Sequence, residues 1–121
     1  MPSDLDLIVA RGESEQVEFK ESLTEVAKGV QAAAGMLNGP DGGMLVFGVK
    51  DNGTVVGVNV GSQTHDRLHN EFRKIDPAFV PRIETHHVSG GKIVLVVPIP
   101  GTPVSIAMMG DPISVLVLRR A

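Results

Sequence analysis

The segment "GESEQVEFKES", residues 12–22, holds four glutamates in eleven positions. Carboxylates gathered at one point are natural ligands for a hard divalent cation, with magnesium held at about 2 Å. Without a cation or a basic partner they repel one another. The same glutamates can also be ordinary solvated positions around an apolar pair, Val17 and Phe19, with Glu18 and Lys20 paired on the opposite strand face. Both readings fit this stretch taken alone.

Other side chains offer weaker chemistry. His65 and His69 stand at i, i+4 on a helical pattern, a spacing that can bind zinc, but no Cys and no nearby third ligand accompanies them. His86 and His87 are adjacent on a strand pattern and so face opposite ways; surface positions are their default. "GPDGG" could offer backbone N–H groups to a phosphate, although a plain helix-to-strand turn explains it as well. No Gly-Lys-Ser/Thr comes after it, so nothing supports ATP binding.

The elements that must position these groups are set by periodicity. Ser3 is placed to cap a short helix running to Ala10 and ended by Gly12. "QVEFK" alternates as a strand. From Ser22 or Thr24 to Asn38 the pattern is helical, with Val26, Val30, Ala33, Ala34 and Leu37 on one stripe, and "NGPDGG" stops it. "MLVFGV" reads as a buried strand, "KDNG" as a hairpin turn and "TVVGV" as the returning strand. Residues 62–76 predict another helix, buried through Leu68, Phe72 and Ile75. Further strands are expected in "PRIETHHV", "KIVLVVPI", "PVSIAMM" and "ISVLVLRR". The sum is one α+β domain over 1–121, a single mixed or antiparallel sheet with two to three helices.

Composition narrows the partners. The 121 residues, 42% hydrophobic and 21% charged, suit a globular core. The absence of Cys excludes disulfides and thiolate zinc, and no segment reaches the ~18 apolar residues of a membrane span. The expectation is a soluble, cytoplasmic domain with no membrane partner. The net charge is −3, but basic residues concentrate in the second half. Candidates for phosphate contact are therefore Lys20, Arg67, Arg73, Lys74, Arg82, Arg119 and Arg120, with Arg67 and Lys74 seven apart on one helix face. Aromatics are scarce, with four Phe and no Tyr or Trp. That argues against stacking platforms for bases.

Taken in order, "ESEQVEFKES", a helix ending in Asn, "GGMLVFGVKDNGTVVGV", a helix ending "KIDP", "KIVLVVPIP" and a closing "LVLRR" resemble the Schlafen-type Alba-like domain. The resemblance spans about residues 12–120. It departs in "AGMLNGPDGG", which is longer around the glycines than usual, and in Leu116 and Leu118, where the family carries Tyr. The zinc site of the extended Schlafen proteins cannot form here. In nuclease members, the acids at the positions of Glu13, Glu18 and Asp51 are catalytic. The resemblance thus implies a nucleic-acid-binding domain (RNA or DNA) and, more sharply, an endoribonuclease acting on structured RNA such as tRNA. In that version Glu13, Glu18 and Asp51 hold Mg2+ or Mn2+, and Lys20 clamps a phosphate. Asp51 has a plainer reading too, because "DNG" is a turn in its own right. A homodimer would recreate the two-lobed groove of longer relatives. The alternative is a noncatalytic DNA-binding regulatory or protein-interaction module.

Overall fold

A computed structural model describes residues 4–75 and 80–101. Its elements are α1 (Asp4–Arg11), β1 (Val17–Lys20), α2 (Val26–Asn38), β2 (Gly43–Phe47), α3 (Thr64–Phe72), β3 (Glu84–Val88) and β4 (Lys92–Ile99), with short 3-10 turns at Leu23–Glu25 and Ser89–Gly91. The strands form one sheet in the order β1-β2-β4-β3. β1 runs parallel to β2, and β4 is antiparallel to both β2 and β3. This is the expected α+β fold with a mixed sheet. The expected strands "PVSIAMM" and "ISVLVLRR", with Arg119 and Arg120, lie outside the described residues, as does the "DP" expected to end the helix of residues 62–76.

Alternation along the strands divides the core between two faces. Leu45, Phe47, Leu95, Val97 and Ile99 pack with Val26, Val30, Ala33 and Met36 of α2 and with Leu68 and Phe72 of α3. On the other face Phe19, Val46, Val94 and Val96 pack with Leu5 of α1. β4 is therefore buried on both sides, which is why "KIVLVVPI" is almost unbroken in its apolar character.

Helix α2 begins where Ser22 caps the preceding turn, its side chain accepting from Thr24 N at 3.0 Å. It stops where Gly39 N turns back to Met36 O at 3.1 Å, just ahead of Pro40. Its buried stripe includes Gly29 and Met36, whereas Ala34 and Leu37 are only half-buried. Gly29 lets the helix lie close on β2, because a Cβ there would sit 2.9 Å from Leu45 Cδ1. The stripe is shifted towards residues too small or too flexible to advertise it.

The returning strand "TVVGV" does not form. Val49 and Val55 make one isolated bridge, and the chain beyond it is irregular. Gly48, at φ 107°, turns the chain out of the ladder, and its carbonyl accepts from both Val56 N and Gly57 N. Val58 N then bonds Ile93 O at 2.8 Å, so the segment lies against β4 instead of β2. The helix expected over 62–76 is also shorter, ending at Phe72.

Phe19 is fully buried between α1 and the sheet. Phe19→Ala should lower unfolding free energy in urea by about 3–5 kcal/mol. A surface-like loss, within about 0.5 kcal/mol, would contradict this packing.

Candidate functional site

Among the described residues β1 is an edge strand. Its even-numbered carbonyls face β2, since Met44 N donates to Gln16 O at 2.8 Å and Gly48 N to Lys20 O at 2.7 Å. The odd-numbered amides point away from the sheet. Just before the strand the chain doubles back, Ser14 and Val17 exchanging backbone bonds of 3.0 and 3.3 Å. That turn lays Glu13 along the open edge, where its Oε2 accepts from Phe19 N at 3.4 Å.

The register pairs Glu18 with Leu45 and Lys20 with Phe47, so both point to the face covered by α2. There Lys20 Nζ lies 2.9 Å from Glu18 Oε2, with side chains only 17% and 25% exposed. The Glu18 hydrogen bond raises the Lys20 pKa against the opposing effect of burial, and the charges of Glu18, Glu25 and Glu13 add to the rise. Lys20 thus sits as a cation among carboxylates.

Asp51 is delivered from the far side. Gly48 N and Val49 N both bond Lys20 O, at 2.7 and 3.3 Å, which holds the end of β2 beside β1. The next turn closes through Gly53 N to Lys50 O at 2.8 Å and Thr54 N to Asn52 Oδ1 at 2.9 Å. This brings the Asp51 side chain within hydrogen-bonding reach of Glu13. The Glu13 pKa is raised, chiefly by burial of its carboxyl and next by the hydrogen bond with Asp51. The Phe19 amide opposes the rise, and the charges of Asp51 and Glu18 reinforce it. Two carboxyl groups can share such a bond only with a proton between them.

The structure therefore brings Glu13 and Asp51 together and leaves Glu18 close enough for its charge to be felt, but bound to Lys20. Among the described residues no three His, Asp or Glu side chains are grouped to hold a metal ion. Ligating carboxylates must be deprotonated and free to turn to the ion. In this arrangement the Glu13 carboxyl holds its proton more readily than a free one, through burial and the Asp51 hydrogen bond, and Glu18 has a lysine.

The expected phosphate contacts fare unevenly. Arg82 Nη2 is bound to Glu84 Oε2, 2.6 Å away, and Lys74 Nζ to Glu71 Oε1, 2.8 Å away. Arg73 Nη1 donates to Asn70 Oδ1 at 3.1 Å. Lys74 lies beyond the end of α3, so it does not share a helix face with Arg67. Of the expected cations described, Arg67 alone keeps its side chain unengaged. His69 Nε2 lies 3.3 Å from Pro81 O, and His86 and His87 alternate across β3 as expected. Gly42 and Gly43 of "GPDGG" serve close packing, a Cβ being blocked at the first by the Ile99 carbonyl and at the second by the Gln16 carbonyl.

Sequence reasoning passes over two residues. Glu25, at the entry to α2, contributes to the field around Lys20. Lys50 is exposed beside Asp51 and, like Arg67, has no ion partner among the described residues. Its only signal is adjacency to Asp51 inside a stretch that reads as a turn.

Two outcomes check this geometry. Lys20→Met should cost about 1–2 kcal/mol of stability. Combined with Glu18→Gln it should cost less than the two single losses summed, because the pair is lost once; strict additivity would contradict the ion pair. The second outcome concerns pH. A raised carboxyl pKa means that the folded state holds the proton more tightly than the unfolded chain. Stability from Glu13 is then lost as pH rises through the interval between the ordinary and the raised value. Thermal melts across that interval should show wild type weakening relative to Glu13→Gln as pH rises. A gap independent of pH would contradict the raised Glu13 pKa.

The fold has known counterparts. A family model described as "Schlafen, AlbA_2" matches residues 13–111. Curated proteins yield no match. The solution NMR structure of the N-terminal domain of a putative ATP-dependent DNA helicase RecG-related protein from Nitrosomonas europaea is similar at 28% identity and a TM-score of 0.62, over 84% of this chain and 72% of that one. The crystal structure of the DIP2311 protein from Corynebacterium diphtheriae shares the fold at 22% identity and a TM-score of 0.59, over 80% of this chain and 21% of that one. The chain belongs to the Schlafen, AlbA_2 family, and that membership marks it as a nucleic-acid-binding domain.

Proposed function

We propose that this chain binds nucleic acid without cutting it, as a regulatory or interaction module. The observation that carries the noncatalytic part is the state of the three acids. Glu18 is ion-paired to Lys20 at 2.9 Å, and Glu13 is within hydrogen-bonding reach of Asp51. Metal-assisted phosphodiester cleavage needs a cation to generate the nucleophile and neutralise the transition state. Here the charge of Glu18 is already matched by a side chain of the same protein. Family membership supports the binding part.

Binding then rests on few free cations, so it is weak and strongly salt-dependent. No helix among the described residues is long and apolar enough to cross a membrane, so none of them offers a spanning anchor.

The test combines binding and cleavage. Labelled tRNA and duplex DNA are incubated with the chain across a salt series, with and without manganese, and products are resolved on a denaturing gel. The expected result is binding that fades as salt rises, with both nucleic acids intact. Manganese-dependent cleavage that disappears in Glu18→Gln and Asp51→Asn would replace this reading with the endoribonuclease one.

A further inference from the structure

Among the described residues β1 and β3 are the two edges of the sheet, and an open edge is a template for pairing with another chain. β3 carries Glu84, His86 and His87, with Arg82 just before them, ionisable side chains of the kind that discourage such pairing. The composition of β1 gives no comparable protection. Its Val17 and Phe19 alternate with Glu18 and Lys20, and Phe19 turns its amide to the open edge. A second copy lying antiparallel and centred on Phe19 would set the Glu18 of one copy against the Lys20 of the other. Phe19 would meet Phe19 across the two-fold axis, each amide donating to the other's carbonyl. The bare edge is self-complementary.

The chain fills this edge itself. Ser14 and Val17 exchange backbone bonds of 3.0 and 3.3 Å, the first rung of an antiparallel hairpin around Glu15 and Gln16. Gln16 N braces that turn by donating to Ser14 Oγ at 3.1 Å. In a continuing ladder the next hydrogen-bonded rung would join Gly12 to Phe19, two residues further along each arm. Gly12 is committed elsewhere. At φ 79° it ends α1, with its N bonded back to Ile8 O at 3.2 Å. Phe19 N donates instead to Glu13 Oε2 at 3.4 Å. The side chain supplies the acceptor that a neighbouring backbone would have supplied.

We propose that Glu13 closes the β1 edge: its carboxyl stands in for the carbonyl of an adjacent strand and, with the Ser14 turn, keeps a second copy of this chain from adding its own β1 to the sheet. The role is independent of the nucleic-acid reading and of any metal. It also explains why a glutamate in an exposed loop reaches a backbone amide six residues further on.

Amide hydrogen exchange followed by NMR tests the closure. Glu13→Ala should speed exchange at the Phe19 amide by about tenfold or more, the effect of losing a hydrogen bond to a charged group. Glu13→Gln keeps a carbonyl oxygen at the same reach and should hold the rate close to that of wild type. The amide of Val96, in the central strand β4, should be unchanged in both variants and so report an intact fold. Sedimentation velocity tests the excluded partner. Glu13→Ala combined with Ser14→Pro, which also removes the donor to Val17 O, should self-associate more strongly than wild type as concentration rises. Glu13→Ala alone should move in the same direction, and Glu13→Gln should match wild type. A Phe19 amide indifferent to Glu13→Ala, or released equally by Glu13→Gln, would overturn the closing role. Wild-type association in both the single alanine variant and the double variant would overturn the second copy as the partner kept out.

Discussion

The parallel pairing of β1 with β2 is the constraint on which the site depends. A parallel edge strand places its carboxyl end beside that of its neighbour, so the segments leaving the two strands must meet. β1 leads into the turn before α2, bringing Glu25. β2 leads into the Lys50–Thr54 turn, bringing Asp51. The bonds from Gly48 N and Val49 N to Lys20 O fasten the two ends together. An antiparallel pairing in the same order would have sent Asp51 to the far end of the sheet. The burial of Phe19 on one face and of Leu45 and Phe47 on the other fixes the register, because a slip of one residue would exchange Glu18 and Lys20 for Phe19.

Electrostatics then settles how the gathered charges behave. Carboxylates brought together on a protein surface need compensation, by a cation or by a proton. Lys20, mostly shielded, balances Glu18 and feels Glu25 and Glu13, while the Glu13 pKa is raised by burial and by its hydrogen bond with Asp51. The cluster is thereby compensated from within. The cations left free among the described residues, Lys50 and Arg67, are both exposed.

Most of the fold is legible in the sequence because its signals are local. The alternation in "VEFK", the unbroken "KIVLVVPI" and the helical stripe before Asn38 each announce an element whose burial follows from its period. The hairpin after Phe47 misleads because "DNG" between two valine-rich runs is a strong turn signal, and the turn does form. The ladder beyond it fails through the positive φ of Gly48, a backbone property that an alternating pattern cannot display. Periodicity overextends helix α3 because Ile75 continues the spacing and packs on the core from outside the helix.

The site is half legible. Glu13, Glu18 and Asp51 stand out through family resemblance, and the proximity of Glu13 to Asp51 depends on strand pairing over a long separation in the chain. The partnership of Glu18 with Lys20 is visible in the sequence as a same-face pair, but its consequence for metal binding needs the exposure of both side chains. Which cations are free depends on neighbours such as Asn70, Glu71 and Glu84, and sequence spacing does not reveal those contacts. The most direct test of internal compensation is a manganese titration monitored by backbone amide NMR. The account predicts that the amides of Glu13, Glu18 and Asp51 broaden no earlier than that of the exposed, uninvolved Glu15. Selective early loss of those three signals would contradict it.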